Sequence, residues 1–298
     1  MKNPAVSIRA RLLNLARQTK VPFQDLLEHF AMGRFLWRLS GSGEPERYIL
    51  KGAQLFHLWG ATSHRPTRDL DLLGTGPPDE ETLRVNFEKM LAGTCEPDDG
   101  LIWGKVSTGP IRQDLAYGGV RATLPVSLDG ARITLQIDVG FGDAVSPRPL
   151  PAQWEGLLGF PAATLLVYPP ETVIAEKLEA AVILDIRNTR MKDFFDLDWL
   201  CRHMEFNQTT LRAAILATFE RRGTKLPAAD PLALTAAFSG EISKVAQWKS
   251  FLSRNRLSAD PLPEVIERLR DFLDPVLFPA PGDSALKWVP VRGWQRPP

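Results

Sequence analysis

Two aspartates stand at alternate positions inside an apolar run, Asp69-Leu70-Asp71-Leu72-Leu73. Because the side chains of a strand alternate between its two faces, Asp69 and Asp71 are expected to project from the same side of one strand. Two carboxylates so close repel each other unless a cation lies between them. Mg²⁺ is favoured, since it takes hard oxygen ligands and is usually held by one or two carboxylates together with substrate phosphates. The alternative is a strand end with two solvated aspartates.

A third carboxylate, Asp138, closes the apolar segment Ile133-Thr134-Leu135-Gln136-Ile137-Asp138-Val139. Alternation places Ile133, Leu135 and Ile137 on one face and Asp138 on the other. If this strand neighbours the first one, Asp138 lies beside the pair. Three carboxylates on adjacent strands can hold two metal ions that clamp the attacking and leaving oxygens of a phosphoryl transfer. The sequence thus predicts a two-metal Mg²⁺ site, although single aspartates at strand ends are common.

These residues are expected to be positioned by a mixed sheet followed by a helical lobe, an α+β fold. Amphipathic spacing predicts two N-terminal helices, over 7–18 and from residue 22, and alternation predicts the strands of the sheet. The predicted strands are 47–50, 67–73, 102–107, 120–127, 131–139 and 164–167. Residues 147–159 are expected to form a loop, and the Pro-rich tail from residue 278 a surface-packed strap. The predicted domains are a core with N-terminal helices, 1–168, and a helical lobe, 169–298.

The first helices of the predicted helical lobe carry a lysine and a pair of aspartates. Lys177 lies between Glu176 and Glu179, and its alternatives are a surface salt bridge or a contact with a nucleotide triphosphate. Asp193 and Asp196, three residues apart, are expected on one helix face. The bland interpretations are an acid favoured by the helix dipole for Asp193 and a salt bridge to Arg190 for Asp196.

Composition and charge restrict the class of protein. Of the 298 residues, 44% are hydrophobic and 24% are charged, which is the composition of an ordinary soluble globular protein. No apolar run is long enough to span a bilayer and no apolar signal core opens the chain, so a cytoplasmic location is expected. Two cysteines are too few for a disulfide framework. No GxSxG, Walker A or GxGxxG motif occurs.

The net charge of +1 argues against a strongly electrostatic nucleic-acid binder, yet the basic residues are clustered. Such local patches can hold a phosphate backbone without a high overall pI. The alternative is that they are solvated helix faces. The candidate RNA contacts are Arg9, Arg11, Arg187, Arg190 and Lys192.

Taken together, four short motifs resemble the AbiEii family of nucleotidyltransferases, the toxins of type IV toxin–antitoxin systems, a group that includes the MenT toxins. The motifs span residues 48–200 in the family order. They are Leu50-Lys51-Gly52, Arg65-x-Thr67-x-Asp69-x-Asp71-Leu72, Ile174-x-Glu176-Lys177-Leu178 and Arg190-x-Lys192-Asp193-Phe194-x-Asp196-Leu197. One departure is Ala53, followed by Gln54, where the family usually has a small glycine or serine near the triphosphate.

The resemblance implies a DNA-polymerase-β-like core in which Asp69 and Asp71 hold Mg²⁺ and Lys177 contacts the nucleotide. Lys51, Gly52 and Thr67 would lie near the triphosphate. Asp193 would accept a proton or organise Lys177.

The implied reaction transfers NMP from an NTP to RNA, with the 3′ end of tRNA as the expected acceptor. This blocks translation and calls for a cognate antitoxin. The alternatives are transfer to a small molecule or a protein hydroxyl, or an NTP-binding module inactivated around Ala53.

Overall fold

The computed structural model describes residues 3–61, 65, 67, 69–111, 118–280 and 286–296. The chain divides into two compact units. Unit 1 contains the described residues within 1–62, 67–142 and 150–167, and unit 2 contains those within 63–66, 143–149 and 168–298. Helices and a mixed sheet occur together, which confirms the predicted α+β fold class.

Unit 1 consists of a sheet and the helices that cover it. Its described helices are α1 (Pro4–Thr19), α2 (Phe23–Ser40), α3 (Gln54–Leu58) and α4 (Glu80–Leu91). Its described strands are β1 (Tyr48–Lys51), β2 (Asp69–Gly74), β3 (Ile102–Trp103), β4 (Ser107–Pro110), β5 (Gly119–Leu128), β6 (Ala131–Phe141), β7 (Leu150–Trp154) and β8 (Ala163–Val167). Arg68, part of the strand predicted over 67–73, lies outside the described residues.

The sheet runs in the order β3-β5-β6-β2-β1-β8-β7, with β4 also paired to β5. The pairs β2–β6 and β1–β8 are parallel, and the other pairs are antiparallel. The sheet is therefore mixed, as predicted. The pairing brings β1, β2, β6 and β5 side by side, and β2 and β6 carry the three aspartates singled out by the sequence.

One face of this sheet is apolar and the other is polar in its centre. Along β5 every second residue is buried, from Val120 to Leu128, and β6 buries Ile133 to Val139 in the same way. Helix α2 packs against β6 and β8, and α4 packs against β4 and β5. Because the helices cover the apolar face, the charged residues of the same strands lie on the opposite face.

The loop predicted over residues 147–159 is partly wrong, because it contains the strand β7. Prolines normally argue against a strand, but a strand at the edge of a sheet tolerates them where the missing N–H would face outward. Strand β7 ends the described sheet order, and its Pro151 is paired in register with Leu166 of β8. The single strand expected over 102–107 is likewise two short strands, β3 and β4.

Unit 2 is mainly helical. Its described helices are α5 (Pro170–Leu184), α6 (Met191–His203), α7 (Gln208–Arg221), α8 (Ala236–Ser239), α9 (Ile242–Asn255) and α10 (Leu262–Leu277). A small sheet of β9 (Phe206–Asn207), β10 (Lys287–Val289) and β11 (Gly293–Gln295) completes it. No helix among those described is long and apolar enough to cross a bilayer.

The tail predicted to be a surface strap is instead a β-hairpin fixed by two tryptophans. Trp288 is buried and donates a hydrogen bond to the Cys201 carbonyl at 2.7 Å. Trp294 donates to the Phe272 carbonyl at 2.9 Å and stacks on the Phe272 ring. Each indole thus packs on the Phe272 ring and satisfies its N–H, which orders a segment that composition alone marks as irregular.

A pair of histidines supports the short helix α3. The rings of His29 on α2 and His57 on α3 lie 4.8 Å apart between centroids, and both rings pack on Trp154. Burial, together with the neighbouring His57, lowers the pKa of His29 to about 4. His29 is therefore neutral in the folded chain at pH 7.

We expect unit 1 to lose stability in mild acid because of His29. The folded-state pKa lies below the unfolded value of 6.5, so the contribution is complete above pH 6.5 and is lost as pH falls toward 4. By pH 5 the loss amounts to about 2 kcal/mol. Urea unfolding at pH 7.5 and pH 5 should show a smaller pH effect in His29→Gln than in wild type. The exposed His203 supplies a control, His203→Gln, which should keep the wild-type pH effect.

Candidate active site

The two aspartates of β2 lie on the same face of the sheet, as predicted. Between them Leu70 is buried, and Leu72 on the far side of Asp71 is buried as well. Asp69 is exposed and Asp71 is half-buried. The alternation that buries the leucines against the helices therefore turns both carboxylates to the open face.

A row of four charged residues crosses this face at the level of Asp71. The strand register pairs Lys51 of β1 with Asp71, Asp71 with Asp138 of β6, and Asp138 with Arg121 of β5. Neighbouring strands lie about 4.8 Å apart, so the row runs lysine, aspartate, aspartate, arginine over four strands. Asp138 therefore lies beside the aspartate pair, where the sequence predicted it if the strands were neighbours.

The backbone after Lys51 comes close to the Asp71 carboxylate. Gly52 has φ +76°, and a Cβ atom at this position would lie 2.0 Å from Asp71 Oδ2 and 2.7 Å from Asp71 Cβ. Glycine is required here for both its conformation and its lack of a side chain. The turn that joins β1 to α3 is thus built to place a main-chain segment against an acidic side chain.

The Gly52→Ala substitution is expected to displace Asp71. From the nucleotide-binding role predicted for this segment, we also expect it to weaken binding of an NTP with Mg²⁺ by about tenfold or more, which corresponds to about 1.4 kcal/mol. Gly60 supplies a matched control, because it also has a positive φ of +81°, but a Cβ atom there would have no described atom within 4 Å. Both alanines carry a conformational cost of about 1 kcal/mol. Titration with a fluorescent NTP analogue should show the binding defect in Gly52→Ala alone; equal affinities in the two variants would contradict the close contact with Asp71.

Asp138 is held by Arg121, a residue that the sequence prediction missed. The guanidinium donates two hydrogen bonds, from Nε to Oδ1 at 2.8 Å and from the terminal nitrogen to Oδ2 at 2.7 Å. The hydrogen bond to Asp138 raises the pKa of Arg121, and the charges of Asp69 and Asp71 act in the same direction. The available signal was the short segment Leu128-Asp129-Gly130, a tight hairpin connection that would pair the strand of Arg121 with the strand of Asp138.

The donor set on this face suits a hard cation. Asp69 and Asp71 offer only carboxylate oxygens, which Mg²⁺ prefers, and Mg²⁺ needs no complete protein cage when substrate phosphates supply further ligands. Within the described ranges, no three carboxylate, imidazole or thiol side chains converge as a complete metal site. The residues therefore fit an ion that is shared with a substrate, held through Asp69 and Asp71.

In unit 2, Lys177 is enclosed by two aspartates of α6. Its Nζ lies 2.8 Å from Asp193 Oδ1 and 2.7 Å from Asp196 Oδ2. Burial opposes the charge on Lys177, but the carboxylates of Asp193 and Asp196 outweigh it and raise the pKa of the ammonium. Asp193 and Asp196 share one helix face, as predicted, and together they keep the lysine protonated.

Arg65 completes this network, which we call the Lys177 cluster (Arg65, Lys177, Arg190, Asp193 and Asp196). Arg65 binds Asp196 through two hydrogen bonds of 2.9 Å each, and Arg190 binds Asp193. Burial opposes the charge of Asp193, but Lys177 and Arg190 outweigh it and lower the pKa of this carboxyl. The cluster thus fixes two buried carboxylates with three cations.

Two interpretations of these residues are corrected by the structure. The salt bridge between Lys177 and its sequence neighbours is wrong, because Glu176 and Glu179 lie against Arg222, at 3.6 and 2.9 Å. The predicted pairing of Asp196 with Arg190 is also wrong. Helix α6 turns Asp193 toward Arg190, and the partner of Asp196 is Arg65, which is distant in the sequence.

The predicted RNA contacts differ in their surroundings. Arg9 lies 3.7 Å from Asp129, and Arg11 donates a hydrogen bond to the Leu158 carbonyl, so α1 uses both within unit 1. Arg187 and Lys192 are exposed, and Arg190 is exposed while it binds Asp193. Of the five predicted contacts, Arg187 and Lys192 form no hydrogen bond or ion pair with another described residue.

The predicted nucleotide contact Thr67 and Ala53, the residue that departs from the family pattern, both lie beside the strands of the row. Thr67 is half-buried and precedes β2 by two residues, and Ala53 is buried at the N-terminal end of α3. Their roles remain predictions.

The chain is similar to known toxins over most of its length. A family model described as "Nucleotidyl transferase AbiEii toxin, Type IV TA system" matches residues 34–274. JHP933 from Helicobacter pylori has a crystal structure similar to this one, with a TM-score of 0.52 and 19% identity over 84% of this chain and 90% of that chain. A second H. pylori protein, proposed to be a nucleotidyltransferase, gives a TM-score of 0.50 and 19% identity over 84% and 92%. At this identity the likeness concerns the fold. No curated protein matches the chain.

Proposed function

The chain belongs to the AbiEii family of type IV toxin nucleotidyltransferases, and from that membership we propose that it transfers a nucleoside monophosphate from an NTP to the 3′ end of a tRNA. The observation that carries this proposal is the charged row on the open face of the sheet. In this row Lys51, Asp71 and Asp138 are register partners on three adjacent strands, and the backbone of Gly52 lies against Asp71. The family description supports a toxic nucleotidyl transfer, and the RNA acceptor is the finer step that we add.

Unit 1 would bind the triphosphate. Asp69 and Asp71 would hold Mg²⁺, which when bound would offset the charge of the phosphates and polarise the α-phosphorus. Lys51, level with Asp71, would present a second positive charge to the phosphates. Gly52 brings the main chain against Asp71 without a side chain, so the phosphates could approach the backbone there. These are positioning and electrostatic contributions, the usual sources of rate in phosphoryl transfer.

The reaction itself is a substitution at phosphorus. The acceptor hydroxyl oxygen forms a bond to the α-phosphorus, the bond between the α-phosphorus and the bridging oxygen breaks, and pyrophosphate leaves with the electron pair of that bond. The hydroxyl proton must be taken up by a base or by water. Asp193 is poorly suited to accept it near pH 7, because Lys177 and Arg190 lower its pKa despite its burial. The contacts of Asp193 instead favour the other predicted role, that of orienting Lys177.

We propose that Lys177 serves as a permanent positive charge and not as a base. Asp193 and Asp196 keep it protonated, so it can attract phosphate but cannot act as a base at neutral pH. Arg187 and Lys192, exposed in unit 2, would contact the RNA backbone. Because sustained transfer to tRNA would stop translation, a cognate antitoxin protein is part of the proposal, as the family description implies.

Transfer of label to tRNA with a blocked and an unblocked 3′ end tests the proposal. The purified chain is incubated with Mg²⁺, total tRNA and each α-labelled NTP in turn, and the products are resolved on a denaturing gel. The tRNA preparation is first divided into two samples, and periodate oxidation destroys the 3′ cis-diol of the molecules in one sample. Label in intact tRNA, absent from oxidised tRNA and from reactions with Asp69→Asn, is the expected result.

Other outcomes would move the acceptor elsewhere. Label that persists in oxidised tRNA would contradict the 3′ end as acceptor. Label found on a protein band or in a small product, with none in tRNA, would support the alternative acceptors. NTP binding that requires Mg²⁺, with no transfer to any of these acceptors, would support the inactive binding module.

A further inference from the structure

The pairing of Asp138 with Arg121 uses both oxygens of the carboxylate that was predicted to be the third metal ligand. The two hydrogen bonds are short and nearly equal, at 2.8 and 2.7 Å, which is the fork geometry of arginine and carboxylate. Asp138 and Arg121 are also direct partners in the register of β5 and β6, so the strands fix their separation. In this arrangement a metal ion would have to compete with a guanidinium for Asp138.

Arg121 can leave Asp138 at low cost. Its side chain is 43% exposed, whereas that of Asp138 is 15% exposed. An ion pair with one such accessible partner contributes little to stability. A triphosphate carries more negative charge than one carboxylate and offers phosphate oxygens that an arginine fork matches equally well.

Arg121 is also placed within the field of the acidic pair. Asp69 and Asp71 both act on its guanidinium in addition to Asp138. A phosphate group bound at Asp69 and Asp71 through a shared cation would therefore lie within reach of the same electrostatic environment. This links the release of Asp138 to the arrival of the substrate.

We propose that Arg121 is a latch on Asp138: in the nucleotide-free chain it keeps Asp138 out of metal coordination, and a substrate phosphate draws it away. The proposal rests on the proposed function, because it takes Asp69 and Asp71 as the primary ion site. Without nucleotide, unit 1 then binds one divalent ion at Asp69 and Asp71. With nucleotide, Asp138 becomes available to a second ion, so the catalytic arrangement forms only when the NTP is present. Arg121 is a positioning residue in this scheme.

Counting bound Mn²⁺ without nucleotide tests the latch independently of activity. Free Mn²⁺ is measured by electron paramagnetic resonance over a titration of the purified full chain. Wild type should bind one ion per chain. Arg121→Gln should bind a second ion, or bind the first at least tenfold more tightly. Arg121→Lys keeps the charge but lacks the fork, and it should gain the second ion in part. Addition of Asp138→Asn to Arg121→Gln should return the count to one.

Arg132→Gln controls for the loss of one positive charge, because Arg132 is an exposed arginine of β6 that points to the same face of the sheet. The number of ions bound by Arg132→Gln and their affinity should match those of wild type.

Two ions bound to wild type without nucleotide, or identical titrations for wild type and Arg121→Gln, would overturn the latch. If a single ion is still bound in both and lost in Asp69→Asn, the primary site and the proposed function stand while the latch fails. If wild type binds no Mn²⁺, both fail. Thermal melting confirms that each variant is folded.

Discussion

The Asp71→Asn variant is expected to lose about 10³-fold or more in the rate of nucleotidyl transfer, about 4 kcal/mol, while it melts at or slightly above the wild-type temperature. Asp71 lies in the centre of the charged row, between Lys51 and Asp138, and against the Gly52 backbone. An amide of the same shape removes the charge that would hold the cation. It also removes repulsion between neighbouring carboxylates, which offsets the attraction to Lys51 that is lost, so folding should not suffer. Initial rates with a labelled NTP and a melting curve give both quantities.

Glu155→Gln is the matched control. Glu155 is an exposed acid of unit 1, and the substitution replaces its carboxylate with an amide of the same shape, as Asp71→Asn does. Its transfer rate and melting temperature should equal those of wild type. A transfer rate for Asp71→Asn within about threefold of wild type would remove Asp71 from the site, because such a change is below the effect of a single lost electrostatic contact. A large fall in melting temperature would instead assign Asp71 a structural role.

The Asp196→Asn variant should show the largest loss of stability, about 3 kcal/mol. The Asp196 side chain is fully buried. It accepts two hydrogen bonds from Arg65 and forms an ion pair with Lys177. The substitution leaves the Arg65 and Lys177 cations facing a neutral amide in a poorly solvated environment. Removal of one partner from a buried ion pair destabilises the fold by more than the intact pair stabilises it, because the remaining charge is buried without compensation. The melting temperature should fall by roughly 6–12 °C.

Asp271→Asn provides the comparison for this experiment, because Asp271 is an exposed aspartate on a helix of the same unit. It should melt as wild type does. A fall of less than about 2 °C for Asp196→Asn would mean that the Lys177 cluster contributes little to folding. For the same reason Lys177→Ala should also destabilise the chain, since it leaves Asp193 and Asp196 without their shared cation.

Local periodicity was sufficient to predict several parts of this arrangement. The i, i+2 spacing of Asp69 and Asp71 predicted their common face, and the end of an apolar strand predicted the outward direction of Asp138. The i, i+3 spacing of Asp193 and Asp196 predicted one helix face, which is the face that Lys177 contacts. In each case the backbone geometry of one element decides the outcome.

The parts that sequence reasoning missed depend on pairing between distant segments. The partner of Asp138 is Arg121, and their contact follows from the register of β5 and β6, which spacing alone does not give. Arg65 reaches Asp196 across 131 positions of the chain. Strand β7 was predicted to be a loop because Pro151 within it, and Pro147 and Pro149 before it, argue against a strand unless it lies at the edge of a sheet. Such features need tertiary pairing before local preferences can be interpreted.

The measurement that tests the central claim most directly is the intact mass of one purified tRNA, together with the pyrophosphate released, after incubation with the chain, Mg²⁺ and the four NTPs. We predict a tRNA mass raised by whole nucleotide residues, with one pyrophosphate released for each residue added and no change with Asp69→Asn. An unchanged tRNA mass in the presence of bound NTP, or pyrophosphate released without any gain in mass, would contradict transfer to RNA as the function of this chain.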